Sequence, residues 1–264
     1  MKGITINFVG NKGGIGKTTI SCNLGAALSR LGKRVLLIDN DSQCNSSSLL
    51  IPQSTNTNNT MYELLDPDSK TTVENCIYST SENNLFCLPN AIETSRLEMV
   101  FAKSYPESLF LLKEKIKNYA TNNFDYILID NPPSIGLVVS QSLCMSDYFI
   151  IPNKADSAFS IDGLINVITI VNGIKKQVNP DLKMLKLLVN QVHMRKLVCR
   201  AVVDTLKQRF DEKYLFKTMI PDATVLQQAE LNKTTVFCHD AASRPARAFR
   251  ELAKEIDNFV KGGE

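Results

Sequence analysis

The chain has 264 residues, 44% of them apolar, with 30 Lys/Arg against 27 Asp/Glu. This suits one large α/β domain with a substantial core, and a net charge of +3 names no polyanionic partner by itself. Seven scattered cysteines without a C-x-x-C pair, no 18-residue apolar run and no signal-peptide pattern argue against a zinc site, a disulfide framework, a membrane span and secretion, and for a reducing cytosol.

Residues 4–9 are apolar and β-branched and predict a buried strand. Asn11 to Thr19 follow as Asn-Lys-Gly-Gly-Ile-Gly-Lys-Thr-Thr, and Ile20, Leu24, Ala27, Leu28 and Leu31 then recur at helical spacing, predicting a helix over 17–31. A glycine loop between a strand and a helix is a phosphate cradle: backbone N–H groups converge on phosphate oxygens where no Cβ intervenes. Lys17 then reaches the β- and γ-phosphates, and Thr18 offers its hydroxyl to Mg²⁺. The ordinary pattern wants glycine at position 11, where this chain has Asn11, followed by a second lysine, Lys12, that the cradle does not need.

The next predicted strand, 35–38, ends in Asp39-Asn40-Asp41-Ser42-Gln43. If the chain stays extended, Asp39 and Asp41 point to the same side, toward the phosphates. Residues 46–60 are rich in Ser, Asn and Thr and read as a surface loop. A strand over 85–88 and a helix over 107–119 lead to a strand over 126–129, which ends in Asp130-Asn131-Pro132-Pro133. An acid closing an apolar strand is the element that holds Mg²⁺ directly or through water, and Asp130 fills that role. Further strands are predicted over 148–151, 185–192 and 215–220, with helices over 160–178, 197–210 and 245–260. The alternation predicts a doubly wound, mostly parallel sheet with helices on both faces, and residues 1–264 as a single domain. In such sheets the ligand lies beyond the carboxyl ends of the strands, where all three polar clusters fall. From residue 175 to 217 there are eleven Lys/Arg and four Asp/Glu, a local +7 that is either a solvated face or an anion-binding surface.

At this point the chain resembles a known family. Lys12-Gly13-Gly14-Ile15-Gly16-Lys17-Thr18-Thr19 is similar to the deviant Walker A box of the ParA/MinD ATPases, and in particular of the ParA/Soj partition ATPases. Residues 35–43 resemble their D-x-D-P-Q box, and residues 124–134 their Walker B box. Weaker similarity continues through residues 146–152, Asp162-Gly163-Leu164, Ile220-Pro221 and residues 252–256, so the likeness spans almost the whole chain.

The resemblance implies an ATPase using ATP and Mg²⁺, slow until a partner stimulates it. Lys12 is then the lysine that crosses a two-fold interface to the partner subunit's nucleotide, so ATP holds a homodimer together. Gly13 stays small where two backbones meet, and Asp41 positions the hydrolytic water. Lys12, Lys17 and Asp41 are the implied catalytic residues, and Thr18, Asp39 and Asp130 the metal-facing ones. Gly13 to Thr19, Asn190, Pro221 and Asp222 are the implied nucleotide contacts, Asn190 at the adenine. The implied partners are non-specific DNA and a ParB-like centromere-binding protein, in the nucleoid-associated cytoplasm of a prokaryote, with no membrane. Without a preceding helix-turn-helix segment, operator-specific repression is not expected.

Three departures stand out. Ser42 replaces the proline of D-x-D-P-Q, Cys44 replaces the following glycine, and Asp222-Ala223-Thr224-Val225 lacks the arginines that relatives carry after Ile-Pro. DNA binding would therefore lean on Arg195, Lys196 and Arg200, and on the Arg244, Arg247, Arg250 group. The alternative is a MinD-like, membrane-cycling ATPase, which needs an amphipathic basic C-terminal anchor. The stripe Phe249, Leu252, Ala253, Ile256, Phe259, Val260 reads instead as a final core helix, with Glu251, Glu255 and Asp257 on the side that anionic lipid would repel. A nitrogenase-iron-protein-like reductase would need a mate for Cys144, and a related tyrosine kinase a tyrosine cluster beyond Tyr214.

Overall fold

The structure, a computed structural model, describes residues 2–156 and 159–262. Its elements in order are β1 (Ile4–Phe8), α1 (Lys17–Arg30), β2 (Val35–Asp39), α2 (Asn45–Leu50), α3 (Met61–Leu65), β3 (Tyr78–Ser79), β4 (Leu85–Leu88), α4 (Leu97–Lys103), α5 (Asn118–Asn123), β5 (Tyr126–Asp130), α6 (Leu137–Met145), β6 (Tyr148–Lys154), α7 (Phe159–Val178), β7 (Lys183–Asn190), α8 (Leu197–Arg209), α9 (Thr224–Leu231), α10 (Val236–Asp240) and α11 (Arg244–Val260).

The strands form one seven-stranded sheet, ordered β3-β4-β2-β5-β1-β6-β7. All pairings are parallel except that of β3 with β4. Alternation along the strands divides the core in two, as the period of two requires. Ile6, Phe8, Val35, Leu37, Tyr126 and Leu128 join α1, α9, α10 and α11 on one face. Leu36, Ile38, Ile127 and Ile129 meet α3, α4 and α5 on the other, where Phe149, Ile151, Leu187 and Val189 meet α6, α7 and α8. Both faces are covered, so the strands read as continuous apolar runs.

Helix α11 begins at a serine cap: Ser243 accepts from the Ala246 amide, and Pro245 occupies the first turn. Its Phe249, Leu252, Ala253 and Ile256 are fully buried. They lie in the cluster shared with α1. Gly263 and Glu264, after this helix, lie outside the described residues.

Three expectations need correction. Residues 215–220 form no regular strand; they run beside β7 with only isolated bridges, Leu187 to Leu215 and Val192 to Pro221. The Lys217 and Thr218 amides donate to the two oxygens of Glu255 on α11, so the ladder is interrupted where a carboxylate takes its donors. The helix expected over 107–119 lies further along: Glu107–Phe110 is a 3₁₀ turn, Lys113–Lys117 a π turn, and α5 continues to Asn123. The helix carries on through an Asn-rich stretch, where the Thr121 and Asn123 side chains also bond the carbonyls four residues back. Residues 46–60 are not simply a surface loop, because α2 buries Ser46, Ser47, Leu49 and Leu50.

Glu255→Ala should lower stability by about 1–3 kcal/mol, because two amides and Lys186 lose a charged partner together. Chemical denaturation with an unchanged slope checks this; no change in midpoint would mean that water satisfies the amides equally well.

Candidate active site

The loop after β1 is shaped by two left-handed glycines, Gly14 at φ 73° and Gly16 at φ 84°. A Cβ on Gly16 would stand 2.4 Å from Asn190 Nδ2. That amide donates to the Ile15 carbonyl at 2.8 Å, and Gln191 Nε2 donates to the Gly14 carbonyl at 3.3 Å. The end of β7 thus holds the loop from behind. Helix α1 starts at once, with no side-chain cap, so the orphan amides of its first turn face an anion-accepting position.

In front of the loop lies a cavity of about 540 Å³, lined by Gly13 to Thr19, Asp41, Gln43, Asn45, Ser48, Leu49, Asn131, Pro133, Glu230 and Lys233. Lys17 is only 7% exposed. Burial pulls its ammonium pKa down, opposed by the charges of Asp130 and Asp41.

Beneath the cavity, Asp39 and Asp130 are register partners at the ends of the adjacent central strands β2 and β5. Both are 0% exposed. Burial lifts the Asp39 carboxyl to about 7, aided by the charge of Asp130 and opposed by hydrogen bonds from Ser47 and the Asp41 amide. Burial likewise lifts Asp130 to about 6, opposed by Ser46, Thr18 and Lys17. Thr18 Oγ1 (2.7 Å) and Ser46 Oγ (2.5 Å) both donate to Asp130 Oδ2. The other oxygen, Oδ1, is buried and has no hydrogen-bond partner among the described residues. An orphaned carboxylate oxygen beside a threonine hydroxyl is a donor set that fits hydrated Mg²⁺.

Asp39 departs from expectation. Its Oδ2 accepts from the amide (2.8 Å) and hydroxyl (2.6 Å) of Ser47, and its Oδ1 from the Asp41 amide at 3.2 Å. The chain leaves the sheet after Asp39, so the two acids do not share a side: Asp41 lines the cavity and Asp39 is enclosed as the anchor of α2. Behind Asp130, Asn131 donates to Asn7 at 2.6 Å and accepts from Asn40 at 2.8 Å and Ser142 at 2.9 Å, a buried network that fixes the turn after β5.

The other candidates lie apart. Lys12 does not line the cavity; it is exposed, with Cε 3.5 Å from where a Cβ on Gly163 of α7 would sit. Asn190 is 3% exposed and its Nδ2 donates to the Ile15 carbonyl, so it braces the loop. Buried Pro221 and exposed Asp222 are not cavity residues; the Asp222 amide donates to the Val192 carbonyl. Arg195, Lys196 and Arg200 are exposed around the start of α8, and Arg244 and Arg247 at the start of α11. Arg250 is engaged at home, donating to the Ala241 carbonyl and stacking on Phe237. Sequence reasoning missed Ser46, Ser47, Glu230 and Lys233. The serines sit in a low-complexity tract without periodicity, and the last two are more than 200 residues from the loop.

A parallel sheet, a glycine loop entering a helix, and buried acids on neighbouring strands define a P-loop NTPase fold. Residues 3–184 match a family model described as an AAA domain. Over 256 residues the chain is 33% identical to the sporulation initiation inhibitor protein Soj of Bacillus subtilis, covering 96% of this chain and 98% of that one. It is 32% identical over 255 residues to the chromosome-partitioning ATPase Soj of Treponema pallidum, covering 96% and 97%. The solved septum site-determining protein MinD of Pyrococcus horikoshii, complexed with Mg-ADP, aligns with a TM-score of 0.75 at 26% identity over 97% of both chains. The chain belongs to the ParA/Soj ATPase family, within the wider ParA/MinD group.

Asp39 and Asp130 bind protons more tightly folded than unfolded, so their ionisation disfavours folding. Without nucleotide or Mg²⁺, the melting temperature should fall as pH rises from about 5 to 8. In Asp130→Asn the fall should shrink, because one ionisation is gone and Asp39 loses the like charge that raises it. Thermal scans in a buffer series check this; an equal decline in the variant counts against it.

Proposed function

We propose that this protein is a partition ATPase that moves plasmid or chromosomal DNA, with ATP as the clamp of a transient homodimer. The carrying observation is that two lysines of one loop occupy different places. Lys17 is buried in the cavity and Lys12 is exposed outside it, by α7. A cation on the outer side of a phosphate loop suits a contact with a second subunit's nucleotide, which would make dimerisation depend on the γ-phosphate.

In this reading the loop amides and Lys17 hold the β- and γ-phosphates. Thr18 and, through water, Asp130 would hold Mg²⁺, which offsets charge on the phosphates. Asp41, on the cavity wall, orients the attacking water. Asp39 acts through Ser47 and the Asp41 amide, setting Asp41 in place. Loss of the γ-phosphate releases the dimer, a step that a ParB-like centromere-binding partner would accelerate. Exposed Arg195, Lys196 and Arg200, with Arg244 and Arg247, supply a phosphate-directed, sequence-independent DNA contact in the nucleoid-associated cytoplasm.

Lys17→Ala should abolish nucleotide binding, whereas Lys12→Ala should keep binding and lose the ATP-dependent dimer. Light scattering that shows an intact ATP dimer for Lys12→Ala would remove the role in trans. Asp41→Ala should trap the dimer and prolong its retention on DNA.

The decisive measurement is DNA binding with ATP, ADP and no nucleotide across a salt series. Binding should require ATP, and reversing charge at Arg195, Lys196 and Arg200 should weaken it at every sequence. The log–log salt slope should drop by about 2–3. Tight binding that ignores nucleotide would overturn the reading.

A further inference from the structure

We propose that Glu230 is the acceptor for the ribose hydroxyls of the bound nucleotide, making the site selective for ribonucleotides. This rests on the nucleotide reading of the loop and adds a residue that the loop motif does not contain. Helix α9 ends at the mouth of the cavity, and Glu230 and Lys233 are the lining residues drawn from beyond Pro133. The Thr19 hydroxyl donates to Glu230 Oε1, placing the carboxylate against the first turn of α1.

The direction of the phosphates then decides what Glu230 meets. Lys17 and Thr18 take the β/γ end and its metal, so the α-phosphate and the sugar leave past Thr19. A carboxylate can only accept hydrogen bonds, and so can a phosphate oxygen, so the two do not pair directly. The donors next to an α-phosphate are the 2′- and 3′-hydroxyls. An acid on ribose hydroxyls is the solution that dinucleotide-binding sheets use on a different loop. Lys233, left-handed at φ 49° and bonded through its amide to the Glu230 carbonyl, lines the same cavity as the acid, so its positive charge offsets the repulsion between Glu230 and the phosphates.

The position is preorganised. The chain after α9 is pinned to α1: the Val236 amide donates to Asn23 Oδ1, and the Thr235 hydroxyl donates to Glu82, which also pairs with Arg30. Glu230 is thus held relative to the loop before any nucleotide arrives, which reduces the ordering cost of binding.

The test is equilibrium binding of ATP and of 2′,3′-dideoxy-ATP, with Mg²⁺, to the wild type, Glu230→Ala and Glu230→Gln. The wild type should prefer ATP by about tenfold or more, the scale of a hydrogen bond to a charged group. In Glu230→Ala the two affinities should converge to within about twofold, through weaker ATP binding alone; Glu230→Gln should retain part of the preference. A wild type without preference, or an undiminished preference in Glu230→Ala, overturns the assignment. Equal weakening of both nucleotides also overturns it, because Glu230 would then only brace Thr19. A wild type that binds neither nucleotide would overturn the loop reading as well.

Discussion

The structure turns on two carboxylates that share one dry place. Asp39 and Asp130 end the central strands in register, and neither reaches water. Side by side and desolvated, they are unfavourable unless protonated, hydrogen-bonded or offset by a cation. The surroundings supply the last two. Lys17 comes from the loop, Thr18 from α1, and Ser46 and Ser47 from α2. These donors come from separate parts of the chain, so the need to satisfy two acids draws the loop, the helix after it and the segment after β2 into one assembly.

That requirement explains which parts were legible in the sequence. The loop, the three acids and most of the sheet are local signals: glycines where φ is positive, aspartates closing apolar runs, β-branched strands of the right length. The helix α2 is not. Its Asn-Ser-Ser-Ser stretch has no amphipathic period and weak helix propensity, and it folds because buried acceptors wait for two of its hydroxyls. The shared side expected for Asp39 and Asp41 assumed an extended chain, whereas the chain turns after β2 and Asp39 is enclosed. The strand expected over 215–220 lost part of its ladder to Glu255, a partner 37 residues on in the chain that no local pattern announces.

The C-terminal segment has a matching logic. Residues 224–260 reach back to α1 through Glu230, Asn23, the Arg30–Glu82 pair and the buried face of α11. Helix α1 is therefore clasped between the sheet and the last quarter of the chain, and the amphipathic stripe of α11 is spent on that contact. The same stretch supplies the mouth of the cavity, so packing and ligand selection fall to one segment.

The hold of Asn190 and Gln191 on the loop carbonyls carries a mechanical consequence. A cradle tethered by side chains to the end of β7, with no room for a methyl group at Gly16, behaves as bedrock and not as a hinge. In the reading proposed above, loss of the terminal phosphate would then be felt less in this cradle than in the segment across the cavity from it. That segment is the six-residue α2, which lines the cavity with Asn45, Ser48 and Leu49 and meets the two acids through two serine hydroxyls and one amide.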